Sequence, residues 1–74
     1  MWDMKWNLIS IRPTLYEDDD AVYVLFKTED NIFIVGSFFQ NNWYYQVVDE
    51  IVHFELLKDP SVFKIKVWTN LETI

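Results

Sequence analysis

Residues 21–45, AVYVLFKTEDNIFIVGSFFQNNWYY, constrain this chain more than any other stretch. Three runs rich in β-branched and aromatic residues, 21–27, 32–39 and 43–45, are separated by two short polar breaks. Such residues suit a pleated, half-buried surface. The breaks, Thr28-Glu29-Asp30-Asn31 and Gln40-Asn41-Asn42, carry Asp and Asn side chains that bond their own backbone and tolerate turn geometry. Breaks this short join antiparallel neighbours, because a parallel crossover takes a dozen residues or more. The stretch predicts a β-meander. The fold class expected for the chain is all-β (or β-rich α+β), with a small antiparallel sheet of five or six strands, curled or barrel-like.

The flanks extend the same pattern. Residues 6–11, WNLISI, alternate apolar and polar and read as a first strand, ended by Arg12-Pro13 because proline cannot donate to a ladder. Residues 51–57, IVHFELL, place Val52, Phe54 and Leu56 on one side and His53 and Glu55 on the other. A helix over 47–57 is the alternative, since Val48, Ile51, Val52 and Glu55 recur at three and four; the β-branched content favours strand. Lys58-Asp59-Pro60 breaks the pattern. Residues 61–69 then alternate again, with Phe63, Ile65 and Val67 inward and Lys64 and Lys66 outward. Residues 1–74 form one domain in this reading, with 1–5 as leader and 70–74 as tail.

The expected core is Val24, Phe26, Phe33, Val35, Phe54, Ile65 and Val67. Within 21–39 both strand faces are largely apolar, which means either a sheet covered on both sides or one side left for a partner. Gly36, the single glycine, sits in mid-strand, where it signals a bulge, a bend, or close approach by another backbone or a ligand.

A 74-residue chain without cysteine has neither a disulfide framework nor a thiolate metal site. Six Phe, four Tyr and four Trp compensate for the small size. They exceed what so small a core encloses, so an aromatic patch at the surface is expected, and with it at least a homodimer. The net charge of −6 disfavours nucleic acid and anionic membranes as partners. No apolar run approaches the length of a membrane span, and the first residues lack the layout of a secretory signal. A cytoplasmic location is the expectation.

The ordered segments Leu8-Ile9-Ser10-Ile11-Arg12-Pro13, Tyr23-Val24-Leu25-Phe26, Val35-Gly36-Ser37-Phe38-Phe39 with Trp43-Tyr44, and Ile51-Val52-His53-Phe54 with Leu56-Leu57 form a series. Over about residues 6–60 it resembles a small domain of unknown function found in bacteriophage and prophage genomes. Members of that family look like W-I-S-V, V-L-V-Y, a G-x-Y/F segment ending in W-Y, and T-H-W-x-x-L-P. This chain departs at Leu8 and Phe54, where the family carries Trp, and at Leu57, where it carries Pro. The resemblance implies a phage-type accessory protein in the cytoplasm of a bacterial host, with a small antiparallel sheet and no activity to transfer.

Little points to catalysis. His53 is the single histidine, with Glu55 two residues away on the same strand face. Ser10, Ser37 and Ser61 lack a nucleophile-elbow context. The run Glu17, Asp18, Asp19, Asp20 lacks the alternate spacing and glycine of a calcium loop and reads as a solvated loop. No enzyme activity, metal or cofactor is expected. The remaining reading is a protein-binding module that acts as an inhibitor of a host defence protein. The acidic residues Glu17, Asp18, Asp19 and Asp20, with Glu29, Asp30, Asp49 and Glu50, would steer a partner. Trp43, Tyr44 and Tyr45 would supply aromatic anchors, Tyr44 facing outward. The alternative is a nucleotide-type small-molecule binder with stacking aromatics. Against it stand few cations and no glycine-rich loop.

Overall fold

The computed structural model describes residues 5–14 and 20–71. Among them are strands β1 (Asn7–Leu8), β2 (Val22–Thr28), β3 (Phe33–Phe39), β4 (Asn42–Val48), β5 (Val52–Leu57) and β6 (Ile65–Asn70), and one 3₁₀ turn, Pro60–Phe63. All six strands pair antiparallel in a single sheet of order β1-β6-β2-β3-β4-β5. The fold is all-β. The sheet curls but stays open, so it is not a closed barrel. The β4–β5 hairpin occupies residues for which a helix was the alternative.

Local chemistry sets the turns. Gln40 and Asn41 both take positive φ, 47° and 67°, as a two-residue type I′ hairpin requires. At the β2–β3 turn Asn31 takes φ 62°, and the Thr28 hydroxyl accepts from the Ile32 amide at 3.1 Å. After β5, Asp59 caps the 3₁₀ turn, its carboxylate accepting from the Ser61 amide and hydroxyl at 3.0 and 2.8 Å. The Ser61 hydroxyl and then its amide hold the Asp59 carboxyl below its ordinary pKa.

One face of the sheet, here the inner face, is the core. Val24, Phe26, Phe38, Trp43, Leu57, Ile65 and Trp68 are buried there. Trp43 packs edge-on against Phe38 and Phe26, with ring centroids 4.7 and 5.3 Å away. It also meets Trp68 at 5.7 Å, although β2 and β3 lie between their strands. Flat strands three places apart are separated by about 14 Å, so curl and long aromatic side chains together close that distance. The N-terminal segment covers part of this face: the Ile9 amide donates to the Lys66 carbonyl at 3.0 Å. The Trp68 indole donates to the Ile11 carbonyl at 2.7 Å, and Arg12 reaches the Asn41 side chain. Phe63 packs on Tyr45 at 5.0 Å.

Three expectations are corrected here. Phe33 and Phe54 belong to the opposite, outer face and are 55% and 37% exposed. Val35 and Val67 lie half-buried on that same outer face, and their inward places are taken by Ile34, Phe38 and Trp68. The expected first strand shrinks to Asn7–Leu8, since the chain turns at Leu8–Ile11 to cross the core. The alternation over 61–69 fails because Phe63 ends a 3₁₀ turn and Lys64 is left-handed, φ 57°. Beyond it, a bulge opposes Thr28 to Ile65 but Lys27 to Val67. The extra residue shifts the phase, so Ile65 and Trp68, three apart, both reach the core.

Gly36 needs no positive φ. A Cβ there would lie 2.1 Å from the Phe26 ring and 2.5 Å from the Tyr44 carbonyl oxygen. The close approach is by the protein's own ring and backbone, not by a bulge at Gly36 or a ligand.

Candidate functional site

The outer face is built by the other parity of the same strands. The ladder aligns Tyr23, Ser37, Tyr44 and Leu56 across β2, β3, β4 and β5. Tyr23, Phe33, Phe54, Leu56, Val52 and Val48 leave much of their apolar surface to solvent. Large exposed apolar patches on small proteins mark interaction sites.

In this face lies a groove of about 430 Å³, lined by Ala21, Tyr23, Ser37, Phe39, Tyr44 and Phe54. Ser37 creates it: a short side chain at the centre of an aromatic row leaves a depression between Tyr23 and Tyr44. Tyr23 and Phe54 lean toward each other across the depression, their ring centroids 6.0 Å apart and tilted by 51°. Among the described residues the lining holds four aromatic rings and no charged group. Asp20, which is exposed, immediately precedes Ala21 of this lining. Toward the other end of the face, Trp6 rests on Phe33 at 6.1 Å and Lys27 Nζ sits 5.5 Å from the Trp6 ring centroid.

A second depression, about 400 Å³, is lined by Asp49, Glu50, Ile51 and His53 at the β4–β5 turn. His53 Nδ1 lies 3.0 Å from the Ile51 carbonyl oxygen and Nε2 3.1 Å from Glu55 Oε2. Only the imidazolium donates at both nitrogens. The Ile51 carbonyl and then the Glu55 carboxylate therefore raise the His53 pKa above its ordinary 6.5. The folded pKa being the higher one, the contribution to stability is full below 6.5 and is lost as pH rises through the folded value. An NMR titration of the His53 ring should give a midpoint above 6.5, and Glu55→Gln should lower it.

The anticipated site residues separate. Trp43 is buried at the centre of the core and is no surface anchor. Tyr45 lies on the inner face against Phe63. Tyr44 alone of the three lines the outer groove. Glu17, Asp18 and Asp19 lie outside the described residues, while Asp20 is exposed and directly precedes Ala21 of the groove lining. Glu29, Asp30, Asp49 and Glu50 occupy the turns at the opposite end of the sheet, where Glu29 pairs with Lys66 at 3.8 Å. Tyr23, Phe39 and Phe54 were missed as site residues. The signal for two of them was present: Tyr23 stands out of phase with Val24 and Phe26, and Phe54 shares a side with Val52 and Leu56.

Among the described residues, no helix is long and apolar enough to cross a membrane. Comparison of the chain with family models, curated proteins and solved structures finds no match.

Proposed function

We propose that this chain is a protein-binding module that docks the outer face of its sheet on a partner with a basic surface and an apolar projection. The support is a largely exposed apolar face that holds an aromatic groove with no charge among its described lining residues, on a chain of net charge −6. The rings give rigid, desolvated contact area, while the acidic surface steers a partner of opposite sign. The resemblance to a phage-type domain supplies the setting, an accessory protein that occupies a host protein in the bacterial cytoplasm and blocks it.

Photo-crosslinking from position 44 tests this. A photoreactive residue replacing Tyr44 should capture one predominant basic protein from bacterial lysate, competed by the unmodified chain and weakened by salt. The same probe at Ile32, in the β2–β3 turn, should not capture it. With the partner in hand, Tyr44→Ala should speed dissociation by about 10-fold or more, and Asp20→Asn should slow association. Capture of no protein, together with a dialysable nucleotide that protects position 44, would establish the small-molecule reading instead.

A further inference from the structure

The two ends of the sheet differ. β1 has only two residues, a blunted edge, whereas β5 runs for six and among the described residues pairs only with β4. Edge strands are usually protected by charged side chains, proline or a bulge. Val52–Leu57, VHFELL, has no lysine, proline or bulge, and its one carboxylate, Glu55, is paired with His53. Its apolar side chains Val52, Phe54 and Leu56 are exposed on the outer face, and His53 and Glu55 are exposed on the other.

From this edge we infer that β5 pairs antiparallel with β5 of a second copy, with the two-fold axis at Phe54, giving a continuous twelve-stranded sheet. The register follows from chemistry. Directly opposed residues in an antiparallel pair share a face. A two-fold axis perpendicular to the sheet also keeps each residue on its own face, so the axis passes through a residue and its symmetry mate. Centred on Glu55, the pairing opposes two carboxylates; centred on His53, it opposes two imidazoles. Centred on Phe54, it opposes Phe54 to the partner's Phe54, Val52 to the partner's Leu56 and His53 to the partner's Glu55. Every ladder position then meets a complementary one. Beyond the strand the same register brings Glu50 toward the partner's Lys58, a further pair of opposite sign. Among the described residues the carboxylates around His53 within one chain are Glu55 on its strand and Asp49 and Glu50 in the turn, while β4 opposes it with Val47. The dimer adds the partner's Glu55 to that set.

Phe54 belongs to both this edge and the groove wall, but the inference rests on the edge alone and not on the docking reading, and its test needs no partner protein. The chain has no cysteine, so single cysteines report the register directly. Opposed Cα atoms lie about 4.5–5.5 Å apart, within the disulfide range of about 4.4–6.8 Å. On oxidation with copper–phenanthroline, Phe54→Cys should form a covalent dimer. Val52→Cys alone and Leu56→Cys alone should not, because each is displaced from its own mate by about 13 Å along the strands. An equal mixture of those two variants should form a mixed dimer. In sedimentation, His53→Glu should weaken dimerisation about tenfold by opposing like charges, and adding Glu55→Lys should restore it. A monomer in sedimentation, or V52C crosslinking as readily as F54C, overturns the inference.

Discussion

Phe26→Ala is expected to be the most destabilising single truncation in the domain. Phe26 is fully buried on β2, with its ring between Gly36 and Trp43. Truncating a buried phenylalanine costs about 3–5 kcal/mol, from lost transfer energy and the cavity left behind. A chain of 74 residues holds only about 4–11 kcal/mol in total, so the variant loses between about a quarter and all of its stability. Phe33→Ala supplies the contrast. Its ring is mostly exposed and touches Trp6, so the loss should be under about 1 kcal/mol. Urea unfolding of the two variants distinguishes the faces: if Phe33→Ala were the more damaging, inner and outer would have to be exchanged.

The second large effect is expected at Gly36. Gly36→Ala places a methyl group 2.1 Å from the Phe26 ring and 2.5 Å from the Tyr44 carbonyl oxygen. The ring cannot withdraw freely, because Trp43 packs edge-on against it, and the carbonyl belongs to the neighbouring strand β4. Overpacking of this kind costs about 1–3 kcal/mol, occasionally more. The expected result is a clear fall in melting temperature with the strand signature retained. A bend that merely used glycine's flexibility would leave Gly36→Ala near wild type.

The strands were legible because period-two patterning and the Asn-rich breaks act locally, and hairpin connectivity follows from breaks too short for a crossover. Which face is buried was not legible in β3. Phe33, Val35 and Phe39 on one side rival Ile34 and Phe38 on the other in apolar character, and a choice by hydrophobicity alone selects the bulkier set. What decides it is Gly36: it shares a side with Ile34 and Phe38, and it admits Phe26 only from that side. The end of β6 was obscured by its bulge, which lets Ile65 and Trp68 point the same way. In the candidate site, Tyr44 was visible from its strand beside a turn. Trp43 was misplaced because its neighbour's outward direction sends it inward, to the core.

In the free chain the outer face is expected to be open to solvent. Solvent paramagnetic relaxation tests it most directly, using a soluble paramagnetic chelate and side-chain resonances of the isotope-labelled chain. Strong broadening is expected at Tyr23, Val52, Phe54 and Leu56, with Phe26, Phe38, Trp43 and Trp68 protected. Edge pairing through β5 would partly shield Val52, Phe54 and Leu56 against the second copy but leave Tyr23 exposed. Protection of Tyr23 and Leu56 equal to that of Trp43 would mean that the outer face is already covered, and would contradict the account.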